Sequence, residues 1–284
     1  MKIKNKTAFS LIELSIVILI VGILVAGVVQ ASRLVKQMRI LNAQTLTRSS
    51  EIYLIKGLSV WIETVLEKSF DVSESSDGTK ISKWYDINPA SSTANNYSQS
   101  NDANKPNYVE NFSNGLPGVY FNRLESDSLQ GLVNSSLTIA GISCFFVYNS
   151  TGTPIGGSII SIADNATPTQ NYMYIQSGGT DVYQFDYIFT PDFKLTTNST
   201  RIMSNIVNLS GAGQIYENGV LKVTGNINAN VLYPNPILYI GKRVDNVYFN
   251  GNIGELIIFN QILKDEDRKF VEKYLGKKWG IKVS

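Results

Sequence analysis

Histidine is absent from this 284-residue chain, and cysteine occurs only once. Without histidine, the chain cannot build a Ser-His-Asp or Cys-His catalytic centre, or a histidine-ligated metal site, from its own residues. The single Cys144 excludes an internal disulfide, and its apolar surroundings (Ile142 to Val147) predict a small buried hydrophobic side chain. These absences remove the commonest nucleophilic and metal-dependent enzymes from consideration.

A strong net charge is lacking too. Lys and Arg number 25 and Asp and Glu number 23, which gives a net charge of +2 at pH 7. Such an even balance gives no support for a large nucleic-acid-binding surface, so we predict no nucleic-acid partner. The length of the chain allows one large domain in addition to an anchoring segment.

Long hydrophobic runs are scarce, with one exception near the N-terminus. Phe9 to Val29 is about 21 residues of mostly apolar character, enough as a helix to cross roughly 30 Å of hydrocarbon. Glu13 interrupts this run, and a carboxylate near the end of a spanning helix costs on the order of 1–3 kcal/mol. Either Glu13 lies shallow enough to reach the lipid headgroups, or it pairs with a cation that the run itself lacks.

A cleaved secretory signal is an alternative interpretation of this segment. The start is basic, and Val29-Gln30-Ala31 offers a small-residue cleavage site that would leave Ser32 as the first residue. Against this alternative, the apolar run is longer than the usual core of a signal, and Glu13 would be an unexplained defect in it.

The segment Lys6-Thr7-Ala8-Phe9-Ser10-Leu11-Ile12-Glu13-Leu14-Ser15 resembles the leader junction of type IV prepilins and type II secretion pseudopilins. The resemblance implies that a prepilin peptidase cuts between Ala8 and Phe9 and that the new amine of Phe9 is methylated. Glu13 would then be the fifth residue, which directs assembly in that family, and the freed amine would be its missing cation. Ala8 stands where the family usually has Gly. Gln30 stands where many members have Pro, so no helix kink is predicted.

The same resemblance implies partners and a location. Other pilin or pseudopilin subunits would pack through the N-terminal helix, on an assembly platform in the inner membrane. The chain would cross that membrane once, with its N-terminus in the cytoplasm and its head in the periplasm or outside, before entering a filament or reaching the cell surface. Beyond the apolar run, Leu34, Met38, Leu41 and Thr45 recur at helical spacing and predict an amphipathic extension of about 20 residues.

From about residue 52, short alternating runs separated by turn residues are typical of β-strands. In the clearest hairpin, residues 214–223, Asn218 and Gly219 supply the two positive-φ positions of a type I′ turn. This density of strands predicts a mainly β fold, a two-sheet antiparallel jelly-roll sandwich. Asp265 to Leu275 predicts a short C-terminal helix that Gly276 ends, with Trp279 following as a plug. Strands are predicted at residues 58–62, 145–148, 158–162, 172–175, 181–185, 238–240 and 255–259.

Several segments of the second half resemble concanavalin A-like (laminin-G-like) jelly rolls. They include Gly57-Leu58-Ser59-Val60-Trp61-Ile62-Glu63 at the opening and Asn250 to Phe259 and Tyr274 to Ile281 at the close. The resemblance spans about residues 52–281, and because its motifs are structural it implies a fold rather than an activity. The predicted organisation is a basic leader (1–8), a transmembrane or pilin-type helix (9–50) and a concanavalin A-like jelly-roll head (52–284).

Candidate catalytic and metal-binding residues are sparse. Glucanases of this superfamily carry Glu-x-Asp-x-x-Glu, and the nearest run, Glu125-Ser126-Asp127, has Gln130 in place of the last acid. We interpret that run as a solvated loop, so no catalytic residue and no enzyme activity are predicted. Asp164 and Asp245, each followed by Asn, are weak candidates for calcium, although a turn stabilised by its own side chain explains each pair better. The prediction is therefore no cofactor, with calcium as the open alternative.

Residues that bind a ligand are not identifiable from this sequence. Tyr97, Tyr172 and Tyr248 are glycan-binding candidates only because Tyr and Asn are abundant throughout the head. The leading hypothesis is a pilin-like filament subunit that displays a lectin-like head for adhesion or surface interaction, and the size of the head favours a minor or tip subunit. The alternative is a membrane-anchored or exported lectin-like binding module that forms no filament.

Overall fold

A computed structural model of the chain describes residues 10–89, 96–133, 141–151, 157–164, 173–177, 183–185, 199–208, 212–226 and 236–284. Within these residues lie one long N-terminal helix, two antiparallel sheets and one helix near the C-terminus. The helices are α1 (Leu11–Arg48) and α2 (Asp265–Trp279). The strands are β1 (Leu58–Glu63), β2 (Lys83–Tyr85), β3 (Asn96–Ser98), β4 (Asn107–Ser113), β5 (Leu116–Phe121), β6 (Leu129–Leu132), β7 (Ile142–Ser150), β8 (Gly157–Asp164), β9 (Met173–Ser177), β10 (Tyr183–Phe185), β11 (Arg201–Val207), β12 (Ala212–Glu217), β13 (Val220–Asn226), β14 (Pro236–Ile240) and β15 (Gly251–Phe259).

Helix α1 extends away from the rest of the chain for most of its length. All residues from Ser10 to Val35 are exposed, and only Ala43, Gln44 and Thr47 are buried. The helical segment Leu11–Leu54 contains an 18-residue window with a mean hydropathy of 2.9, and none of that window is buried. By length and composition this segment can cross a membrane once.

The two sheets form a sandwich. The larger sheet has the strand order β13-β12-β11-β7-β15-β5-β4, and β1 also pairs with β15. The smaller sheet has the order β10-β9-β8-β14-β6-β3-β2. β15 is central to the larger sheet because β7 covers one edge, while β5 and β1 pair with the first and second halves of the other edge.

Two apolar clusters lie on opposite faces of the larger sheet. The first fills the space between the sheets, where Phe146, Leu256 and Ile258 meet Leu238 of the smaller sheet. The second lies on the outer face, where α2 and the end of α1 pack against side chains such as Ile257 of β15. The helices therefore cover the larger sheet and join it to the apolar N-terminal segment.

The expected sandwich, the long N-terminal helix and the C-terminal helix are confirmed. Asn218 and Gly219 adopt φ angles of 50° and 82°, so the predicted hairpin turn is present. The predicted end of the last helix is wrong, since α2 continues through Gly276 and ends at Trp279, followed by Gly280 with φ 67°. A Cβ on Gly276 would lie 2.6 Å from Val283, so this glycine permits close packing of the C-terminal segment instead of ending the helix.

Candidate functional site

The carboxylate of Glu13 lies at the first turn of α1. Its Oε2 accepts a hydrogen bond from the backbone N–H of Ser10 at 2.9 Å, and the Ser10 hydroxyl oxygen accepts one from the N–H of Ile12 at 3.3 Å. This capping box satisfies N–H groups that a helix start otherwise leaves unpaired. Glu13 thus has a local role that was not predicted from the sequence, although the pattern Ser-x-x-Glu at residues 10–13 is typical of a capping box. The predicted cleavage residues Ala8 and Phe9 lie outside the described residues.

The C-terminal end of α1 is fastened to the sandwich. Gln44 donates its side-chain Nε2–H to the carbonyl oxygen of Val65 at 2.8 Å, in a buried position. Lys36 pairs with Glu110 at 2.7 Å, and this ion pair is partly exposed. Since such exposed pairs contribute little, the buried amide contact is the stronger tie between α1 and the head.

Beside this junction lies a cluster of three buried charges: Glu63 at the end of β1, Glu255 on β15 and Lys278 on α2. The Lys278 ammonium lies 3.0 Å from Glu63 Oε2 and 2.9 Å from Glu255 Oε2, and all three side chains have no exposed surface. We refer to these three residues as the buried charge cluster. It contains two acids and one base, and therefore needs further hydrogen-bond donors to be stable in the protein interior.

Glu255 obtains those donors from aromatic side chains. Oε1 accepts hydrogen bonds from Trp61 Nε1 at 2.8 Å and from the Tyr274 hydroxyl at 2.9 Å, and Oε2 accepts one from Trp279 Nε1 at 2.9 Å. The Tyr274 hydroxyl lies in turn 3.1 Å from Thr47 Oγ1 on α1. The network therefore connects both helices with the larger sheet.

Glu63 obtains its donors from the segment that follows it. The backbone N–H groups of Val65 and Leu66 donate to its two oxygens at 2.8 and 2.9 Å, and the Ser69 hydroxyl donates to Oε1. Burial alone would raise the pKa of Glu63, but Lys278 and these donors outweigh burial and hold the pKa below its ordinary value. Burial would likewise lower the pKa of Lys278, yet the two carboxylates raise it.

A β-bulge directs Glu255 into this cluster. Ile253 faces the space between the sheets and Ile257 faces α2, although residues four apart in a regular strand lie on the same face. The pairing of β15 with β7 shifts register between Ile253 and Glu255, which moves Glu255 to the α2 side. Gly254 also leaves room for Trp279, since a Cβ there would lie 2.4 Å from the indole ring.

The buried charge cluster has a structural role. Each oxygen of the two carboxylates accepts two hydrogen bonds, and none of the three side chains reaches solvent. A substrate would have to displace these partners to be reached by either acid. The arrangement therefore fixes the position of α1 and α2 on the sheet.

The run Glu125-Ser126-Asp127, interpreted above as a solvated loop, is exposed at Glu125 but buried at Asp127. Glu125 is exposed and pairs with Lys80 at 2.6 Å, as expected for such a loop. Asp127, in contrast, is fully buried: its Oδ2 accepts a hydrogen bond from the N–H of Asn122 at 2.8 Å, and its Oδ1 lies 3.9 Å from Lys80 Nζ. Burial raises the pKa of Asp127 to about 6. The interpretation of Asp127 as solvated was therefore wrong, because its carboxylate closes the turn over residues 122–127.

The two weak calcium candidates, Asp164 and Asp245, lie at separate places in the chain. Asp245 is exposed and pairs with Arg243, whose Nε lies 2.8 Å from Asp245 Oδ1. Asp164 ends β8, where it pairs with Pro236 of β14, and its neighbour Asn165 lies outside the described residues. Among the residues that the structure describes, no three acidic or cysteine side chains form a group that could hold a metal ion.

Of the three tyrosines considered for glycan binding, one is excluded. Tyr97 is fully buried in the core between the sheets, because it faces inward on β3 together with its neighbour Trp84 on β2. Tyr248 is half-buried and lines a polar groove of about 520 Å³ on the smaller sheet. Tyr172 lies outside the described residues.

Comparison with known proteins agrees with both halves of this architecture. Residues 3–29 match the family of the prokaryotic N-terminal methylation motif. A sialidase from Trypanosoma rangeli is 12% identical with a TM-score of 0.54, over 80% of this chain and 34% of the sialidase chain. The binding domain of Paraclostridial Mosquitocidal Protein 1 is 12% identical with a TM-score of 0.53, over 81% of this chain and 56% of that one. No curated protein matches the sequence.

These similarities concern the N-terminal segment and the fold of the sandwich separately. The chain spans only a third to just over half of the length of these structural neighbours, and at 12% identity the likeness shows the fold alone. The fold that they share with this chain is a two-sheet antiparallel β-sandwich. The chain joins this sandwich to a prepilin-type N-terminal motif carried on a long apolar helix.

Proposed function

We propose that this chain is a type IV pilin-like subunit, a minor pilin or pseudopilin, that displays a lectin-like head for adhesion or surface interaction. Prepilin peptidase removes residues 1–8 and the amine of Phe9 is methylated. The pilin-type helix then comprises residues 9–50 and the head residues 52–284. The observation that carries this proposal is the methylation motif over residues 3–29, which leads into a helix that is exposed from Ser10 to Val35.

The uncovered helix supports a membrane or filament setting. Between Leu11 and Val29, fourteen large apolar side chains are between 48% and 86% exposed. At about 1.5–3 kcal/mol for each such side chain when fully buried, leaving them in water forgoes on the order of 20 kcal/mol. In the proposed life cycle, lipid of the inner membrane covers this surface first, with the head on the outer side, and helices of neighbouring subunits cover it in the filament.

Glu13 supports the processing step. Its carboxylate contacts the backbone N–H of Ser10, and a cut before Phe9 would create an ammonium only one residue earlier. Methylation keeps the positive charge of an amine, so the pair survives the modification. The amine of the same chain or of a neighbouring subunit then neutralises a carboxylate that lipid would otherwise penalise.

The buried contacts between the end of α1 and the sandwich support the display of the head. The last turns of the helix are bound to the sandwich through Gln44, Thr47 and the hydrogen-bond network of Tyr274. A helix that is assembled into a filament therefore carries the head with it. A head of more than 200 residues crowds a tightly packed fibre, which favours a minor or tip position. We propose a non-catalytic role for this head.

An exported or membrane-anchored binding module without a filament is the second candidate. The lectin-like sandwich and its polar groove favour it as much as they favour the first candidate. Only the fate of the N-terminal segment separates the two, because a binding module needs neither cleavage before Phe9 nor assembly with other subunits.

The proposal is tested by three variants expressed in cells with a prepilin peptidase and an assembly platform. Glu13→Ala removes both the cap and the charge, whereas Glu13→Gln keeps a capping-box acceptor and removes only the charge. Glu51→Ala changes an exposed acid outside the motif and serves as the control. We measure the protein in membranes and in filaments sheared from the cells.

We expect all three variants to reach the membrane with folded heads. Glu13→Ala and Glu13→Gln should be lost from the sheared filaments, and Glu51→Ala should be retained there. Normal assembly of Glu13→Gln would show that Glu13 acts through the cap alone and would refute the pairing with Phe9. Absence of the wild-type chain from filaments would favour the binding module.

A further inference from the structure

A polar groove crosses the face of the smaller sheet that points away from the core. On β6 and β14, Leu129 and Leu238 face inward, so the alternating positions Gln130, Leu132 and Ile237 face outward. Leu132 and Ile237 form an apolar floor, and most of the other lining residues carry hydroxyl or amide groups. The groove, of about 520 Å³, has the size of a site for a small ligand.

Lys242 is the one charged side chain among the described residues that line this groove. Its ammonium lies 5.0 Å from the centre of the Tyr239 ring, and no carboxylate of the described residues lies within salt-bridge distance of it. Its neighbour Arg243, by contrast, is paired with Asp245. The side chain is partly buried, and this burial lowers the pKa of Lys242.

The backbone around Lys242 is fixed. Its carbonyl oxygen accepts a hydrogen bond from the Ser161 hydroxyl at 3.0 Å, and it pairs with Tyr248 in an antiparallel bridge. Tyr248 pairs in turn with Ser158 of β8. The backbone from which the Lys242 and Tyr248 side chains extend is therefore held at one side of the groove.

Amide groups occupy the other side. Ser98 and Gln130 are paired across β3 and β6, and the side chains of Asn101 and Asn104 are hydrogen-bonded to each other. Asn104 also donates to the carbonyl oxygen of Glu125 at 2.8 Å, which fixes its orientation. Preoriented amides offer both a donor and an acceptor, the combination that the hydroxyl groups of a sugar require.

We propose that this groove binds a glycan through a sugar that carries a carboxylate. The Lys242 ammonium pairs with that carboxylate, Gln130 and Asn101 bond the sugar hydroxyls, and Tyr248 packs against the ring. The inference rests on the proposed binding role of the head and not on filament assembly. It selects an acidic sugar over a neutral one, because the described lining supplies a cation without a carboxylate.

The test uses the full chain in detergent micelles and measures binding by titration calorimetry. The probes are sialyllactose and trigalacturonate, which carry carboxylates, neutral lactose, and inorganic phosphate. Lys242→Met removes the charge and Lys242→Arg retains it. Lys83→Met is the matched control, since Lys83 also lies over a tyrosine ring, Tyr85 at 5.4 Å, but outside the groove.

We expect at least one carboxylated glycan to bind about tenfold or more tightly than lactose. Lys242→Met should abolish that preference with an unchanged melting temperature, whereas Lys242→Arg and Lys83→Met should keep it. Equal binding of acidic and neutral glycans, binding of phosphate alone, binding of no probe, or unchanged binding by Lys242→Met would overturn the proposal. None of these results depends on cleavage before Phe9, so failure of this site and failure of the filament role are distinguishable.

Discussion

Replacement of Lys278 by methionine isolates the role of the buried charge cluster. The substitution keeps an unbranched apolar stem of similar length and removes the cation that contacts Glu63 and Glu255. Two carboxylates then remain side by side with no exposed surface. Their other donors, from the indoles, the hydroxyls and the backbone, stay in place but supply no full positive charge.

The expected loss of stability follows from the burial of these groups. Removing one partner of a buried ion pair costs about 3–5 kcal/mol, because the remaining charge stays desolvated. For a domain of this size, each kcal/mol lowers the melting temperature by about 2–4 °C. We therefore expect Lys278→Met to melt roughly 6–20 °C below the wild-type chain.

Tryptophan fluorescence during thermal unfolding in detergent measures this change directly. Trp61 and Trp279, two of the three tryptophans, donate hydrogen bonds to Glu255 and report on the cluster itself. Lys277→Met is the matched control, since Lys277 is the exposed neighbour on α2, and it should melt within about 2 °C of the wild type. If the melting temperature of Lys278→Met lies as close to that of the wild type as the control's does, the buried charge cluster does not stabilise the head in this way.

Two further perturbations address the same junction and the turn near Lys80. Gly254→Ala places a Cβ 2.4 Å from the Trp279 ring and should lower the free energy of unfolding in urea by about 1–3 kcal/mol. Gly27→Ala is the control, since it has open space around it and should cause no loss. Equal urea midpoints for the two variants would contradict the packing of Gly254 against Trp279. As the pH falls from 7 through about 6, Asp127 gains a proton in the folded state and stability should rise. At lower pH the unfolded state takes up a proton on Glu63 before the folded state does, because the pKa of folded Glu63 is held below its ordinary value, and stability should fall. Asp127→Asn should remove only the rise, and a rise that persists in this variant would contradict the assignment.

The parts of the fold that depend on local pattern could be predicted from the sequence. The apolar run gave α1, and Asn218-Gly219 gave the hairpin, because both signals are complete within a few neighbouring residues. The end of α2 could not be predicted, since Gly276 is required by the return of Val283 across the helix and not by the helix itself. Such a contact is invisible without the tertiary structure.

The buried charge cluster was missed for a related reason. Lys278 lies in a helix of many charged residues, where its sequence neighbours Lys277 and Lys273 are exposed. Glu255 reaches α2 only because a bulge at Gly254 reverses which face of the sheet the following residues of β15 occupy. A single glycine in a strand does not predict that reversal from the sequence. The tryptophans near both ends of the head were the available signal, because a buried indole N–H needs an acceptor.

The N-terminus of the mature protein decides the central claim. Mass spectrometry of the chain purified from cells with a prepilin peptidase should show a protein that begins at Phe9 and carries one additional methyl group on its amine. A chain that retains Met1 or that starts at Ser32 would contradict the pilin-like role.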